Sequence, residues 1–177
     1  MVSLFLLFVI LSAYSYLLFP GLLPILSRIF RKEWTKEDIF PPVSVIISAY
    51  NEEAVIEQKV RNSLALVYQE DRLEVIVSSD GSTDRTEEIV RRYEGKNVRL
   101  IRQEPRTGKT ACLNKVVPEA KGEIVVFTDA NSMFPPDLLG KMVRNFADRD
   151  IGLVTGWTKY QKQGGGEERT SLYAKFE

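Results

Sequence analysis

The sequence contains no histidine and only one cysteine, Cys112. A histidine-dependent catalytic triad and an imidazole-bound zinc centre are therefore excluded within this chain, as is an intramolecular disulfide framework. An excess of either charge is also missing, since Lys and Arg total 24 and Asp and Glu total 24. A balanced chain offers neither the broad basic face that nucleic acid requires nor an acidic tail, so any phosphate recognition must be local.

Charge is missing altogether between Met1 and Ser27, and Val2 to Phe19 is almost wholly apolar before Pro20-Gly21-Leu22-Leu23-Pro24. About 20 such residues, rising about 1.5 Å each, span a hydrocarbon core of about 30 Å. The segment 1–27 reads as a transmembrane anchor. Basic residues follow it, at Arg28, Arg31 and Lys32, whereas a cleaved signal peptide carries them in front. By the positive-inside rule they place the remainder in the cytosol, at the inner (plasma) membrane. A buried helix of a soluble protein is the bland alternative, and Pro20 and Pro24 would also suit a kinked or partly interfacial anchor.

Residues 28–42 read as a juxtamembrane connector closed by Pro41-Pro42. The remaining 43–177 suffice for one ordinary domain with a core, in a chain that is 44% hydrophobic. Here a regular alternation begins. "VSVIIS" (43–48), "EVIVSS" (74–79), "NVRLIR" (97–102), "EIVVFT" (123–128) and "IGLVTG" (151–156) read as strands. Between them, "EEAVIEQKVRNSLALVY" places Val55, Ile56, Val60, Leu64 and Val67 at helical spacing, and "PDLLGKMVRNF" does the same with Leu138, Leu139, Met142, Val143 and Phe146. "DRTEEIVRRY" is a further helix, with Asp84 and Glu87 at capping-box spacing. Apolar strands alternating with amphipathic helices predict an α/β fold, a mainly parallel sheet flanked by helices.

Ligands of such sheets bind beyond the carboxyl ends of the strands. Four polar segments fall there or open the next helix: Ser48 to Glu53, Ser79 to Asp84, Arg106 to Lys109 and Thr128 to Asn131. "TGKT" (107–110) resembles the end of a phosphate-binding loop, but Gln103 stands where that loop needs glycine. What remains is Lys109 near the start of a helix, either a cation for a diphosphate or a solvated lysine. Asp80 stands at a strand end, where a carboxylate accepts from a ribose hydroxyl or a base N–H, while Asp84 reads mainly as a helix cap. Tyr50 is either a stacking surface for a base or a rim aromatic, and Glu52 and Glu53 either serve a ligand or favour a helix N-terminus.

Asp129 and Asn131 follow a strand expected to be central and buried, with Ala130 between them. In a strand-like extension both side chains face one side, which suits a hard divalent cation or a phosphate. Alternatively, Asn131 or Ser132 simply makes a turn or caps the helix that follows.

Taken as an ordered set, "VSVIISAYNEE", "SSDGSTDRTEEIV", "RTGKTACLN" and "GEIVVFTDANSMFPPDLLGKMV" resemble the family 2 glycosyltransferases, over residues 42 to 160. The membrane-anchored bacterial synthase-like branch of that family also begins with an apolar helix. The resemblance implies a GT-A nucleotide-diphospho-sugar-binding domain, with Ala49, Tyr50 and Glu52 lining a uridine pocket, Asp80 on the base and Lys109 near the nucleotide. It places Asp129, Ala130 and Asn131 at the Asp-x-Asp motif, with Asp129 and Asn131 holding Mg²⁺ or Mn²⁺ on the diphosphate. The implied activity is inverting transfer from a UDP-sugar to a polysaccharide or lipid-linked acceptor.

Two departures from the family pattern shape the expectation. Asn131 replaces the second Asp, keeping a carbonyl oxygen and losing a charge, so the metal is expected to bind more weakly or to need help from another residue. The family's acidic base motif is not found before Glu177, where "SLYAKFE" reads as the start of a further amphipathic helix, so the base is expected beyond residue 177 and the chain is expected to hold the donor half. That leaves a non-catalytic nucleotide-sugar-binding or partner module as the alternative. A nucleotidyltransferase on a similar fold is a third reading, which the membrane helix disfavours.

Overall fold

The computed structural model describes residues 1–30 and 33–156. Arg31, Lys32 and the amphipathic helix expected near the end of the sequence, "SLYAKFE", lie outside the described residues. The chain divides into two units, Met1–Thr35 and Lys36–Glu177.

The first unit contains one long helix, α1 (Val2–Ile29), whose most apolar 18-residue stretch has a mean hydropathy of 2.3 and is not buried. Its 28 residues give a length of about 42 Å, enough by length and composition to cross a membrane. A π-helical turn, Tyr14–Leu18, lies just before Pro20. Proline has no N–H to offer the carbonyl four residues back, and a wider turn is one way a helix absorbs that loss. The helix runs on past Pro24 to Ile29.

The second unit holds four strands, β1 (Val43–Ala49), β2 (Leu73–Asp80), β3 (Val98–Gln103) and β4 (Ile124–Asp129), all parallel and ordered β3-β2-β1-β4. Helices α2 (Ile56–Leu64), α3 (Thr86–Arg91), α4 (Lys109–Val116) and α5 (Leu138–Val143) connect or follow them. Their β-branched runs need both faces covered, and two apolar clusters do this. The larger joins Val45, Ile47, Val75 and Val77 to Ile56 and Val60 of α2, Val90 of α3, and Leu139 and Val143 of α5. The smaller sets Ile46 and Ile76 against Val116 of α4.

Three expectations are corrected. Residues 151–156 form no strand. β4 is an edge strand of the described sheet rather than a central one, and Phe127, expected to be buried, is 54% exposed because only β1 flanks it. The capping box does not form either. Asp84 accepts from the Thr86 N–H and hydroxyl, but Glu87 turns inward, where Ser79 Oγ donates to it at 2.7 Å and Arg102 at 2.8 Å. A buried carboxylate finds more compensation from that hydroxyl and guanidinium than from one exposed N–H.

Candidate functional site

The strand order changes direction beside β1, since β2 lies on one side of it and β4 on the other. The crevice between β1 and β4 is thus the switch point where parallel α/β sheets bind ligands. Register sets Ser48 opposite Asp129 and Ala49 opposite Ser79, so the polar loops after β1, β2 and β4 meet at one end.

The loop after β1 is braced by the loop after β2. Asn51 takes φ +55°, a left-handed conformation that asparagine tolerates. Its Oδ1 accepts the Thr83 N–H at 2.8 Å, while its own N–H donates to Ser82 Oγ at 3.2 Å. The Glu52 N–H donates to Thr86 Oγ1 at 2.8 Å and the Glu53 N–H to Asp84 at 3.0 Å. Burial draws the Asp84 carboxyl upward, but hydrogen bonds from the Thr86 hydroxyl and N–H and the Glu53 N–H outweigh it and hold the group below its ordinary value. The half-buried Glu52 and the buried Ala49 are thus fixed at the strand end by backbone contacts.

Asp80, nearly buried at the end of β2, accepts the Thr107 N–H on one oxygen and the Gly108 N–H on the other, each at 2.8 Å. Arg106 lies 3.7 Å from the same carboxylate and sets its guanidinium 3.7 Å above the Tyr50 ring. Carboxylate, loop and aromatic therefore form one connected wall. Within the segment Arg106 to Lys109, nothing local singles out Arg106, because its role depends on a loop folding back across two strand ends.

Lys109 opens α4 and donates to Asp129 at 2.5 Å, both side chains being about half exposed. After Asp129 the chain turns at once through Ala130 and Asn131, and the Ser132 N–H returns to the Asp129 carbonyl at 3.3 Å. This is a turn rather than a strand-like extension. Ala130 is fully buried and packs into the larger core, while Asp129 and Asn131 are exposed on either side of it. Among the described residues no three His, Cys, Asp or Glu side chains cluster to hold a metal. One carboxylate and one amide oxygen fit a hard ion that takes its other ligands from phosphate and water, as Mg²⁺ commonly does.

Lys59 escaped the sequence reading. It occupies the apolar stripe of α2, three residues after Ile56 and beside Val60, and is completely buried. A lysine at that phase of an amphipathic helix was the available signal. Burial pushes the ammonium down from 10.5 to about 8, against a smaller upward pull from Asp129. Between those two values the unfolded chain binds the extra proton, so this group makes stability rise with pH. Denaturant titrations are expected to show wild type gaining on Lys59→Met as pH rises through that window. A constant difference would contradict the assignment.

A parallel sheet with its polar loops gathered at the switch point is the architecture of nucleotide-binding α/β domains. The chain belongs to glycosyl transferase family 2, whose family model matches residues 44–176. It is 37% identical over 119 residues to the beta-monoglucosyldiacylglycerol synthase of Synechocystis, covering 65% of this chain and 25% of that protein. With the poly-beta-1,6-N-acetyl-D-glucosamine synthase of Staphylococcus aureus it shares 31% over 139 residues, 76% of this chain and 33% of that one. The chain thus spans about a quarter to a third of the length of these curated relatives. Among solved structures it resembles the mannosyltransferase PcManGT of Pyrobaculum calidifontis, in complex with GDP-Man and Mn²⁺. That match has a TM-score of 0.64 and 36% identity, and covers 71% of this chain and 39% of the other. S. aureus TarS in complex with UDP gives a TM-score of 0.53 and 30% identity, covering 56% and 30%. The sheet and its flanking helices are the GT-A fold of these neighbours.

Proposed function

We propose that this chain supplies the donor site of a membrane-anchored, metal-dependent glycosyltransferase that takes a UDP-sugar at the cytosolic face. The acceptor in this reading is a polysaccharide or lipid-linked glycan, and transfer inverts the anomeric centre. The observation that carries it is the meeting of Tyr50, the Asp80-held loop, Lys109 and Asp129 at the switch point between β1 and β4.

Each group has a task in this reading. Ala49, Tyr50 and Glu52 line the nucleoside side, and a base stacking on Tyr50 meets Arg106 first. Asp80 sets the start of α4, which presents Lys109. Asp129, with Ala130 shaping the turn and Asn131 following, holds the divalent cation, Mg²⁺ or Mn²⁺. That ion offsets the charge that builds on the departing diphosphate. Lys109 leaves Asp129 for the phosphate when donor binds, adding a second cation where charge develops.

The test is a titration of the full chain, in lipid nanodiscs, with UDP and with GDP, each with Mn²⁺ and with EDTA. Mn²⁺ is expected to strengthen UDP binding, and Asp129→Ala to remove that gain, a loss of about tenfold or more for a charged ligand to the ion. Binding of neither nucleotide, or a metal gain indifferent to Asp129→Ala, rejects the proposal. Stronger binding of GDP keeps the site and changes the donor.

A further inference from the structure

The turn that carries Asn131 is gripped from behind by one helix. On α2, Lys59 Nζ donates to the Ser132 carbonyl at 2.5 Å. Three residues on, Asn62 brackets Phe134: its Nδ2 donates to the Phe134 carbonyl and its Oδ1 accepts the Phe134 N–H, both at 2.8 Å. The Lys59 ammonium also lies 3.5 Å from the centroid of the Phe134 ring. Just beyond the helix, the Val67 N–H donates to the Pro136 carbonyl at 2.8 Å.

Packing alone does not ask for this. Lys59 sits wholly inside the core beside Val60, where a methionine would fill a similar volume without the cost of desolvating a charge. What the ammonium adds is a directional hold on the residue after Asn131, and Asn62 adds the same at both polar atoms of Phe134. Among the described residues, the segment after Asp129 is otherwise held by the burial of Ala130 in the larger core and by the Ser132 N–H returning to the Asp129 carbonyl.

We propose that Lys59 and Asn62 are positioning residues for the metal-diphosphate site: they fix the backbone from Ser132 to Phe134 and so hold Asn131 in place behind Asp129. The inference rests on the donor-site reading above. Where the second metal carboxylate has become an amide, a weak ligand contributes only if its backbone does not wander. The clamp supplies that rigidity from outside the loop, as groups supporting a metal's ligands do elsewhere.

The experiment uses the full chain in nanodiscs and follows free Mn²⁺ by electron paramagnetic resonance, with saturating UDP present. UDP binding in EDTA is measured alongside. Lys59→Met and Asn62→Ala are each expected to weaken Mn²⁺ binding by about 10–100-fold, leaving UDP binding in EDTA at the wild-type value. A general loosening of the fold would lower both, so the split between them reports positioning. Wild-type Mn²⁺ binding in either variant, or equal loss of metal-dependent and metal-free binding, overturns the clamp while the site stands. Mn²⁺ binding that is indifferent to Asp129→Ala overturns the site reading and the clamp with it. Should Lys59→Met fail to fold, Asn62→Ala decides the matter alone, since it severs the other half of the grip.

Discussion

Asp80→Ala is expected to cost about 2–4 kcal/mol of stability, because two backbone N–H groups lose a charged acceptor together. Both bonds are 2.8 Å, and Asp80, which accepts them, is only 6% exposed. Gly108, one of the two donors, sits at φ +92°, a left-handed conformation that glycine adopts readily. The loop is thus built to bring consecutive N–H groups onto one carboxylate. Asp80→Asn sharpens the test. An amide offers one acceptor oxygen for two donors, and its NH₂ then faces the second N–H. Asparagine is therefore expected to be nearly as damaging as alanine, although it matches aspartate in size. On the donor-site reading, UDP affinity should fall in both variants, since α4 and Lys109 start where the clamp lets go. Urea denaturation and nucleotide titration check the two effects. An Asp80→Asn protein as stable as wild type would show that the loop does not depend on the carboxylate.

This clamp marks how far the sequence could be read. The strands were legible because parallel strands buried on both faces are written as β-branched runs, and β1 and β2 lie within a residue of where those runs fall. The strand-end polar segments were legible because the fold class says where ligands go. What Asp80 touches was not, since its partners lie 27 and 28 residues away along a loop without periodicity. Glu87 shows the reverse failure: a local capping rule pointed outward, and a buried hydroxyl and an arginine 15 residues on drew it inward. β4, expected to be central, has an apolar sequence that does not distinguish a central strand from an edge strand. Only the pairing pattern, which composition does not encode, reveals an edge among the described residues. Lys59 stood in plain view on the apolar stripe of α2, yet its partners Ser132 and Phe134 belong to a different strand's loop.

Gly122 is the position where sequence gave no warning and the expected effect is among the largest. It has no left-handed backbone to justify it, but a β-carbon there would lie 2.3 Å from the Ser44 nitrogen, 2.6 Å from Ser44 Oγ and 2.7 Å from the Val43 carbonyl carbon. Two of these are backbone atoms of the first two residues of β1, which is paired on both sides, so turning the Ser44 side chain away would not relieve the clash. The close approach serves a network. The Gly122 N–H donates to Ser44 Oγ at 2.7 Å, Ser44 Oγ donates to Glu74 at 2.5 Å, and the Lys121 N–H donates to the same carboxylate at 2.6 Å. Burial draws the Glu74 carboxyl upward, but the hydrogen bond from Ser44, with those from Lys121 and Arg99, holds it below its ordinary value. A depressed carboxyl contributes stability above its unfolded value, and that contribution is lost as pH falls through the folded one. Gly122→Ala is therefore expected to cost about 3 kcal/mol or more through overpacking against backbone. It should also flatten the acid limb of the stability profile, because the displaced Lys121 N–H and Ser44 hydroxyl no longer reach Glu74. On the donor-site reading the loss should extend to metal binding, since Gly122 lies two residues before β4 and a shift there moves Asp129 at the strand's far end. Denaturant titrations of wild type and Gly122→Ala between neutral and acidic pH read both parts. A variant of wild-type stability would mean that β1 and the approach to β4 can part without penalty, contrary to the contacts on which the sheet edge rests.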